Sequence, residues 1–169
     1  IIGITGTNGK STSTAMMAHI LMEFGLKCNI GGNFGIPASG INDPGKDGYI
    51  IIEFSSFQLE ICKEIKLDGA IILNITPDHI DRHGDFLSYV KAKFNIYNCL
   101  KKNAPLLINY DDINTKKYLN VFIKDKSKLI YFSKKNNYKL SYNSNTNINN
   151  ENISGILTLL ETFGFNKGE

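Results

Sequence analysis

The chain has 169 residues, 42% hydrophobic and 21% charged, with a formal net charge of +3. That is enough chain for one domain with a sizeable core, and the composition is ordinary for a globular protein. The charge gives no ground for a nucleic-acid partner, since the six lysines between Lys124 and Lys139 are diluted by polar residues and read as a solvated face. Cys28, Cys62 and Cys99 stand far apart without C-x-x-C spacing, which speaks against a disulfide framework or a zinc site and suits a reducing cytoplasm. No run is long and apolar enough for a membrane span, and the opening lacks the basic and apolar regions of a signal peptide. Ile1-Ile2-Gly3-Ile4 reads as the interior of a buried strand, and Asn166–Glu169 ends the chain just as abruptly after a helix. The expectation is an excised piece of a longer protein.

In chain order, residues 1–5 read as a short apolar strand. A helix follows from Lys10 to Phe24, with Met16, Met17, Ile20, Leu21 and Phe24 at helical spacing and Gly25 placed to end it. Residues 27–30 and 48–54 read as strands, the second apolar on both faces. Phe57–Ile65 reads as a helix, residues 70–75 as a strand, and residues 85–100 as one helix with Phe86, Val90, Phe94 and Tyr97 on its buried stripe. Residues 106–108 and 129–132 are further strands, and a last helix runs from about Asn150 to Phe163. Ser133–Asn152, rich in Asn, Ser and Lys, reads as a polar loop or short hairpin. Strands apolar on both faces, alternating with helices, predict an α/β fold: three layers around a mostly parallel sheet. In such sheets ligands bind beyond the carboxyl ends of the strands.

Residues 3–12, GITGTNGKST, end like a phosphate-binding loop of pattern G-x-x-x-x-G-K-[ST]. Gly9, Lys10 and Ser11 match, but the opening glycine is displaced, because position 4 is Ile and Gly6 comes two places late. The sequence predicts a variant loop: Gly6, Thr7, Asn8 and Gly9 between a strand and a helix that opens with Lys10, Ser11 and Thr12. Backbone N–H groups and the helix dipole favour an anion there. Lys10 can reach terminal phosphates, and the Ser11 hydroxyl can take a Mg²⁺ position. Glu53 ends an apolar strand, where a carboxylate is costly unless paired or metal-bound. The alternative for Glu53 is a strand-end charge facing water.

T-G-T-N-G-K-S-T resembles the loop of the Mur ligases and their relatives, the folylpolyglutamate synthases. Gly31-Gly32-Asn33-Phe34-Gly35 resembles a turn of the same group, and so do the segments Asn74-Ile75-Thr76-Pro77-Asp78-His79-Ile80-Asp81-Arg82 and Lys93-Phe94-Asn95-Ile96-Tyr97. Glu53-Phe54-Ser55-Ser56-Phe57-Gln58-Leu59-Glu60 is similar to the family members that use D-glutamate. Asn149 and Asn152 sit like the asparagines of an H-N-x-x-N motif, with Ile148 in place of its His. The resemblance covers nearly the whole chain. It implies that residues 1–169 form the central ATP-binding domain of a three-domain enzyme, without the N-terminal UDP-binding and C-terminal domains.

That resemblance implies ATP and two Mg²⁺ ions, with UDP-N-acetylmuramoyl-L-alanine and D-glutamate as substrates of the full-length enzyme. It implies that Lys10 holds the β- and γ-phosphates and that Ser11 and Glu53 hold one Mg²⁺. His79 and a carbamylated Lys93 would serve the second Mg²⁺. Asn33, Ser55 and Gln58 would face the substrate, and Asn149 and Asn152 the nucleotide. Read without the family, His79 is better explained as a loop histidine bonded to Asp78 or Asp81, and His83 and His19 are structural. Ser56 is a candidate cap for the helix near Phe57 and Asn152 a polar helix-start residue. Periodicity leaves Lys91 and Lys93 both open, and the motif chooses Lys93. Rival readings are a folylpolyglutamate synthase, a sister Mur ligase, or a non-catalytic nucleotide-binding module.

Overall fold

A computed structural model describes residues 1–135 and 150–165. The strands are β1 (Ile2–Thr5), β2 (Cys28–Gly32), β3 (Tyr49–Phe54), β4 (Gly69–Ile72), β5 (Leu106–Asn109) and β6 (Leu129–Phe132). The helices are α1 (Lys10–Glu23), α2 (Ser56–Ile61), α3 (Ile80–His83), α4 (Phe86–Phe94), α5 (Ile113–Phe122) and α6 (Asn150–Thr162). The six strands form one sheet in the order β2-β3-β1-β4-β5-β6, and every pairing is parallel. Among the described residues no helix is long and apolar enough to cross a membrane.

Alternation along the strands divides the core in two. Ile2, Ile4, Ile51, Ile71 and Leu107 pack with Met17 and Leu21 of α1 and Ile156 and Leu159 of α6. Their neighbours Ile52, Phe54, Ala70, Ile72, Leu106 and Ile108 pack on the other face with Leu59, Tyr89, Val90, Phe94 and Leu119. This period of two inside a doubly covered sheet is why the strands read as continuous apolar runs. Gly3 faces the second layer, and a Cβ there would come within 2.7 Å of Leu67 Cδ1 and 3.3 Å of Ile96 Cδ1. The glycine lets the segments beside α4 approach the central strand.

The three-layer parallel fold is as the sequence predicts, and its differences have local causes. The helix expected over Phe57–Ile65 stops at Ile61, because the chain must turn to reach the sheet, where Leu67 bridges Leu100. The helix expected over residues 85–100 ends at Phe94 and tightens into a 3₁₀ turn, Asn95–Cys99, which buries Ile96 and Cys99. The strand expected to reach residue 75 leaves the ladder after Ile72, where its backbone turns toward the loop following β1. Helix α5 has no counterpart in the sequence reading. Its N-terminus is closed by Asp112, whose carboxylate accepts from Thr115 N, but Ile113 and Val121 on it are exposed and blur its apolar stripe. Of the stretch Ser133–Asn152, residues 136–149 lie outside the described residues, and Asn150–Asn152 already belong to α6.

The cysteines distant in sequence are not all distant in space: Cys62 Sγ and Cys99 Sγ lie 3.7 Å apart. Burial pushes the Cys99 thiol up to about 12, helped by the hydrogen bond and charge of Cys62, and burial alone pushes Cys28 up to about 11. Both thiols stay protonated at neutral pH, and the thiolate is the reactive form. Titration of the native protein with an aromatic disulfide reagent near ~pH 8 should therefore modify half-exposed Cys62 first, with Cys28 and Cys99 slower by roughly tenfold or more. Equal rates for all three would contradict the packing described.

Candidate functional site

In the strand order, connections run from β1 to one side of the sheet and later cross to β4 on the other. β1 and β4 are neighbours at this switch, so the loops after them open side by side at the carboxyl edge. The loop after β1 is residues 6–9 and the segment after β4 is residues 73–79. The end of β3, carrying Glu53, flanks β1 on the other side.

Gly9 adopts φ 82, and a Cβ there would collide with Asn152 Nδ2. Gly6 is similarly enclosed, with Leu73 Cβ 3.0 Å from where its own Cβ would be. Gly9 is thus required by shape as well as by the sequence pattern, and Gly6 is closely packed. Helix α1 then starts at Lys10 with no side-chain cap and no acidic residue in its first turn. Helices α2, α4 and α5, by contrast, are closed by Ser55, Asp85 and Asp112. The uncapped N–H groups of α1 remain available to an anion. Lys10 Nζ donates to Thr7 O at 2.9 Å, bending over the loop, and Thr12 is exposed on the next turn.

Glu53 is 1% exposed. Its Oε2 accepts from Ser11 Oγ at 2.7 Å and its Oε1 from Asn33 Nδ2 at 3.0 Å. The Asn33 backbone N–H also donates to the Glu53 carbonyl, at 2.9 Å. The strand-end charge therefore does not face water. Asn33 turns to the carboxylate, and Ser11 and Glu53 meet as the loop reading requires. Hydroxyl and carboxylate oxygens suit Mg²⁺, which takes few protein ligands and relies on phosphates and waters for the rest. No three His, Cys, Asp or Glu side chains gather among the described residues, so this donor set fits a phosphate-bound magnesium and no all-protein metal cage.

Lys93 is 2% exposed, whereas Lys91 is exposed, so the helix's orientation turns the first toward the loop and the second to solvent. Lys93 Nζ donates to the Gly6 carbonyl at 2.7 Å and lies 4.8 Å from the centre of the Tyr89 ring. Burial, followed by the charge of Lys10, pulls its pKa down to about 7, against smaller opposing effects of Asp78 and Glu53. Tyr89, pushed up to about 12 mainly by burial, remains a phenol and lies 2.8 Å from Thr7 Oγ1.

His79 adopts φ 51, and its half-exposed ring lies 3.5 Å from Asp78 Oδ2 and 5.2 Å, centre to centre, from Phe57. It makes no hydrogen bond or ion pair to Lys93, which matches the loop-histidine alternative in this arrangement. His83 stacks on Phe57 at 4.9 Å and lies 2.9 Å from Ser56 Oγ, a structural position, while His19 is exposed on α1.

The helix cap differs from the reading that gave it to Ser56. Ser55 Oγ accepts from Gln58 N at 3.2 Å, and Gln58 Oε1 accepts from Ser55 N at 2.9 Å, closing a capping box. Both side chains are thus engaged with each other. Asn152 is 5% exposed at the start of α6 and seals the loop at Gly9, and Asn149 lies outside the described residues. Sequence reasoning passed over Asn74 and Tyr89, which both grip the loop. The signal for Asn74 was its place at the head of the segment 74–82 that carries the resemblance, at the end of an apolar strand.

Strand, variant phosphate loop, uncapped helix and buried carboxylate together define an anion-binding α/β domain. Residues 4–166 match the family model of the Mur ligase middle domain, and the chain belongs to that family. It is 44% identical over 133 residues to the UDP-N-acetylmuramoylalanine–D-glutamate ligase of Rickettsia prowazekii, covering 78% of this chain and 29% of that protein. It is 46% identical over 127 residues to the ligase of the same name from Wolbachia pipientis, covering 75% and 24%. The chain thus spans about a quarter of the length of these curated relatives. Among solved structures it resembles the MurF ligase of Thermotoga maritima in complex with ADP, with TM-score 0.73, 20% identity and coverage of 96% of this chain and 45% of that one. It also resembles E. coli FolC in complex with DHPP and ADP, with TM-score 0.72, 15% identity and coverage of 99% and 54%. At these identities the two structures speak for the fold alone.

The depressed pKa of Lys93 has a consequence for stability. Between about pH 7 and the usual lysine value of 10.5, the unfolded chain binds the proton and the folded one does not. Unfolding then takes up a proton, so stability from this group rises with pH across that window. Below the window both states are charged, and the full cost of burying the ammonium remains. The urea midpoint of the native sequence should rise relative to Lys93→Met as pH increases through this range, as read by circular dichroism. A pH-independent difference would place the ammonium in solvent.

Proposed function

We propose that this chain is the ATP-binding domain of an ATP-dependent ligase that joins D-glutamate to UDP-N-acetylmuramoyl-L-alanine in peptidoglycan precursor synthesis. The observation that carries the reading is the Ser11–Glu53 contact beside an uncapped helix in a TGTNGKST loop. The substrate assignment is supported by the names of relatives 44% and 46% identical to this chain. The folylpolyglutamate synthase alternative is supported only by the shared fold, at 15% identity. ATP as energy source and a nucleotide-linked sugar as acceptor assign the reaction to the cytoplasm.

Chemically, a carboxylate is a poor electrophile. Transfer of the γ-phosphoryl group of ATP to the substrate carboxylate makes an acyl phosphate and releases ADP. The D-glutamate amine attacks the carbonyl carbon, and the tetrahedral intermediate collapses with loss of inorganic phosphate and a proton. The work of this domain is positioning and charge neutralisation. The N–H groups of α1 and the Lys10 ammonium hold the phosphates. Ser11 and Glu53 would hold a Mg²⁺ that supplies further neutralisation of phosphate charge. Asn33, through its bond to Glu53, orients that carboxylate, and Asn33, Ser55 and Gln58 are proposed to border the acceptor. Asn149 and Asn152 are proposed on the nucleotide side, with Asn152 reaching it through its seat against Gly9.

A second Mg²⁺ at His79 and Lys93 rests on two changes. Lys93 would have to take up CO₂ to become an oxygen ligand, and the His79 ring would have to leave Asp78. The pKa of about 7 favours the first change, because roughly half of the side chain is the neutral, nucleophilic amine at neutral pH. We further propose that an N-terminal UDP-binding domain and a C-terminal domain flank this one in the complete enzyme, so the chain alone has no ligase activity.

Calorimetric titration with Mg-ATP tests the site. Lys10→Ala should weaken binding by about 10- to 100-fold, the worth of a charge-assisted hydrogen bond of ~1.5–3 kcal/mol. Unchanged affinity would remove the phosphate-loop assignment. In the complete enzyme, assayed by phosphate release with D-glutamate, Lys93→Ala should lose most turnover while Lys91→Ala stays near normal. The reverse pattern would transfer the role to Lys91, and D-glutamate-dependent turnover by this chain alone would show that the flanking domains are dispensable.

A further inference from the structure

One side chain outside the loop makes more hydrogen bonds to it than any residue assigned above. Asn74 follows β4 across the switch crevice. Its Oδ1 accepts from the backbone N–H of both Thr7, at 3.1 Å, and Asn8, at 2.9 Å. Its Nδ2 donates to the Asn8 carbonyl at 3.0 Å, and its own carbonyl accepts from Thr7 N at 3.0 Å. Two residues on, Thr76 N donates to Thr7 Oγ1 at 2.9 Å, and that hydroxyl lies 3.1 Å from the Thr76 carbonyl. Leu73 N bonds Thr5 O, so the strand ladder runs directly into this contact.

The consequence is a division of labour along the loop. The amides of Thr7 and Asn8 point into Asn74 and are spent there, away from any anion. The donors left for phosphate are those at the open end of α1, at Gly9, Lys10 and Ser11. An ordinary phosphate loop has four residues between its glycines, but this one has two, Thr7 and Asn8, between Gly6 and Gly9. So short a span has little backbone with which to bond to itself. The neighbouring strand's asparagine supplies the missing acceptors and donor in its place.

We propose that Asn74 is a positioning residue for phosphate recognition: it clamps Thr7 and Asn8 so that the Gly9–Ser11 amides meet the anion in a fixed orientation. The proposal rests on the nucleotide reading, and it goes further by assigning the geometry of the phosphate cradle to a residue on another strand. The clamp acts on the phosphates of a nucleoside di- or triphosphate and makes no contact with the nucleoside.

Two measurements on this chain test it. Amide hydrogen exchange without nucleotide reads the clamp itself. Asn74→Ala should speed exchange at Asn8 by about fivefold, since a lost bond is worth ~1 kcal/mol and that amide loses its acceptor, while Thr7 keeps its bond to the Asn74 carbonyl and changes less. Asn74→Asp, which keeps an acceptor oxygen but gives up the donor to the Asn8 carbonyl, should speed exchange at Asn8 less than Asn74→Ala does. Titrations with ADP and with adenosine read the positioning. Asn74→Ala should weaken ADP about tenfold and leave adenosine unchanged, whereas a purely structural role would leave ADP binding by the folded protein intact. Unchanged exchange in Asn74→Ala overturns the clamp. Faster exchange with unchanged ADP affinity, or a parallel loss of ADP and adenosine, overturns the positioning role. A native chain with no affinity for ADP would overturn the nucleotide reading and the positioning role with it, and the exchange result would then decide the clamp alone.

Discussion

Glu53 sets the main constraint on the site. A carboxylate taken almost wholly out of water at the end of an apolar strand is unfavourable by several kcal/mol unless its oxygens are bonded. Here one oxygen is met by Ser11 from the first turn of α1 and the other by Asn33 from the turn after β2. These bonds tie three segments that are far apart in sequence to one point on the carboxyl edge. The hydroxyl of Ser11 is thereby oriented, and the start of α1 is held at a set distance from β3. The acidic side chain that any cation beside the phosphates would need is thus also a structural tie.

The opposite wall of the crevice is organised by cations in a similar way. Lys93 is buried beneath the loop and donates to Gly6, while Lys10 bends over the same loop from above. Burial penalises the charged form of Lys93, and the charge of Lys10 adds to that penalty. The loop therefore has one lysine on its solvent side and, on its inner side, a second whose pKa is pulled down to about 7. That asymmetry follows first from depth and then from the neighbouring charge of Lys10.

Legibility of the fold followed the period of the apolar residues. β3 and β5 were plain because consecutive apolar residues, 50–52 and 106–108, supply both of their faces. α1 was plain because its stripe is regular and Gly25 follows it. α5 was not, since of its apolar residues Ile113 and Val121 face solvent and only Tyr118, Leu119 and Phe122 turn inward. The boundary of α2 was misjudged because Ile61 and Ile65 continue a helical spacing, although Ile61 is exposed and the chain is already turning toward Leu67. The proximity of Cys62 and Cys99 could not be read at all, since it depends on where α2 and the 3₁₀ turn come to rest on the same face of the sheet.

The sequence by itself determined the layer architecture, the phosphate-like loop and the residue types that could serve it, because these depend on periodicity and on short motifs with a local mechanism. It also placed Glu53 and Ser11 at the ends of elements that must share one sheet edge. Tertiary structure alone buried Lys93 and left Lys91 exposed, because that turns on how α4 is rotated against the sheet. It decided that Ser55 and Gln58 cap each other and that Asn33 serves Glu53. It also revealed Asn74, whose bonds cross from one strand's exit to another's across the crevice. Such contacts join residues more than sixty positions apart, and they are set by strand order and register, which no local pattern encodes.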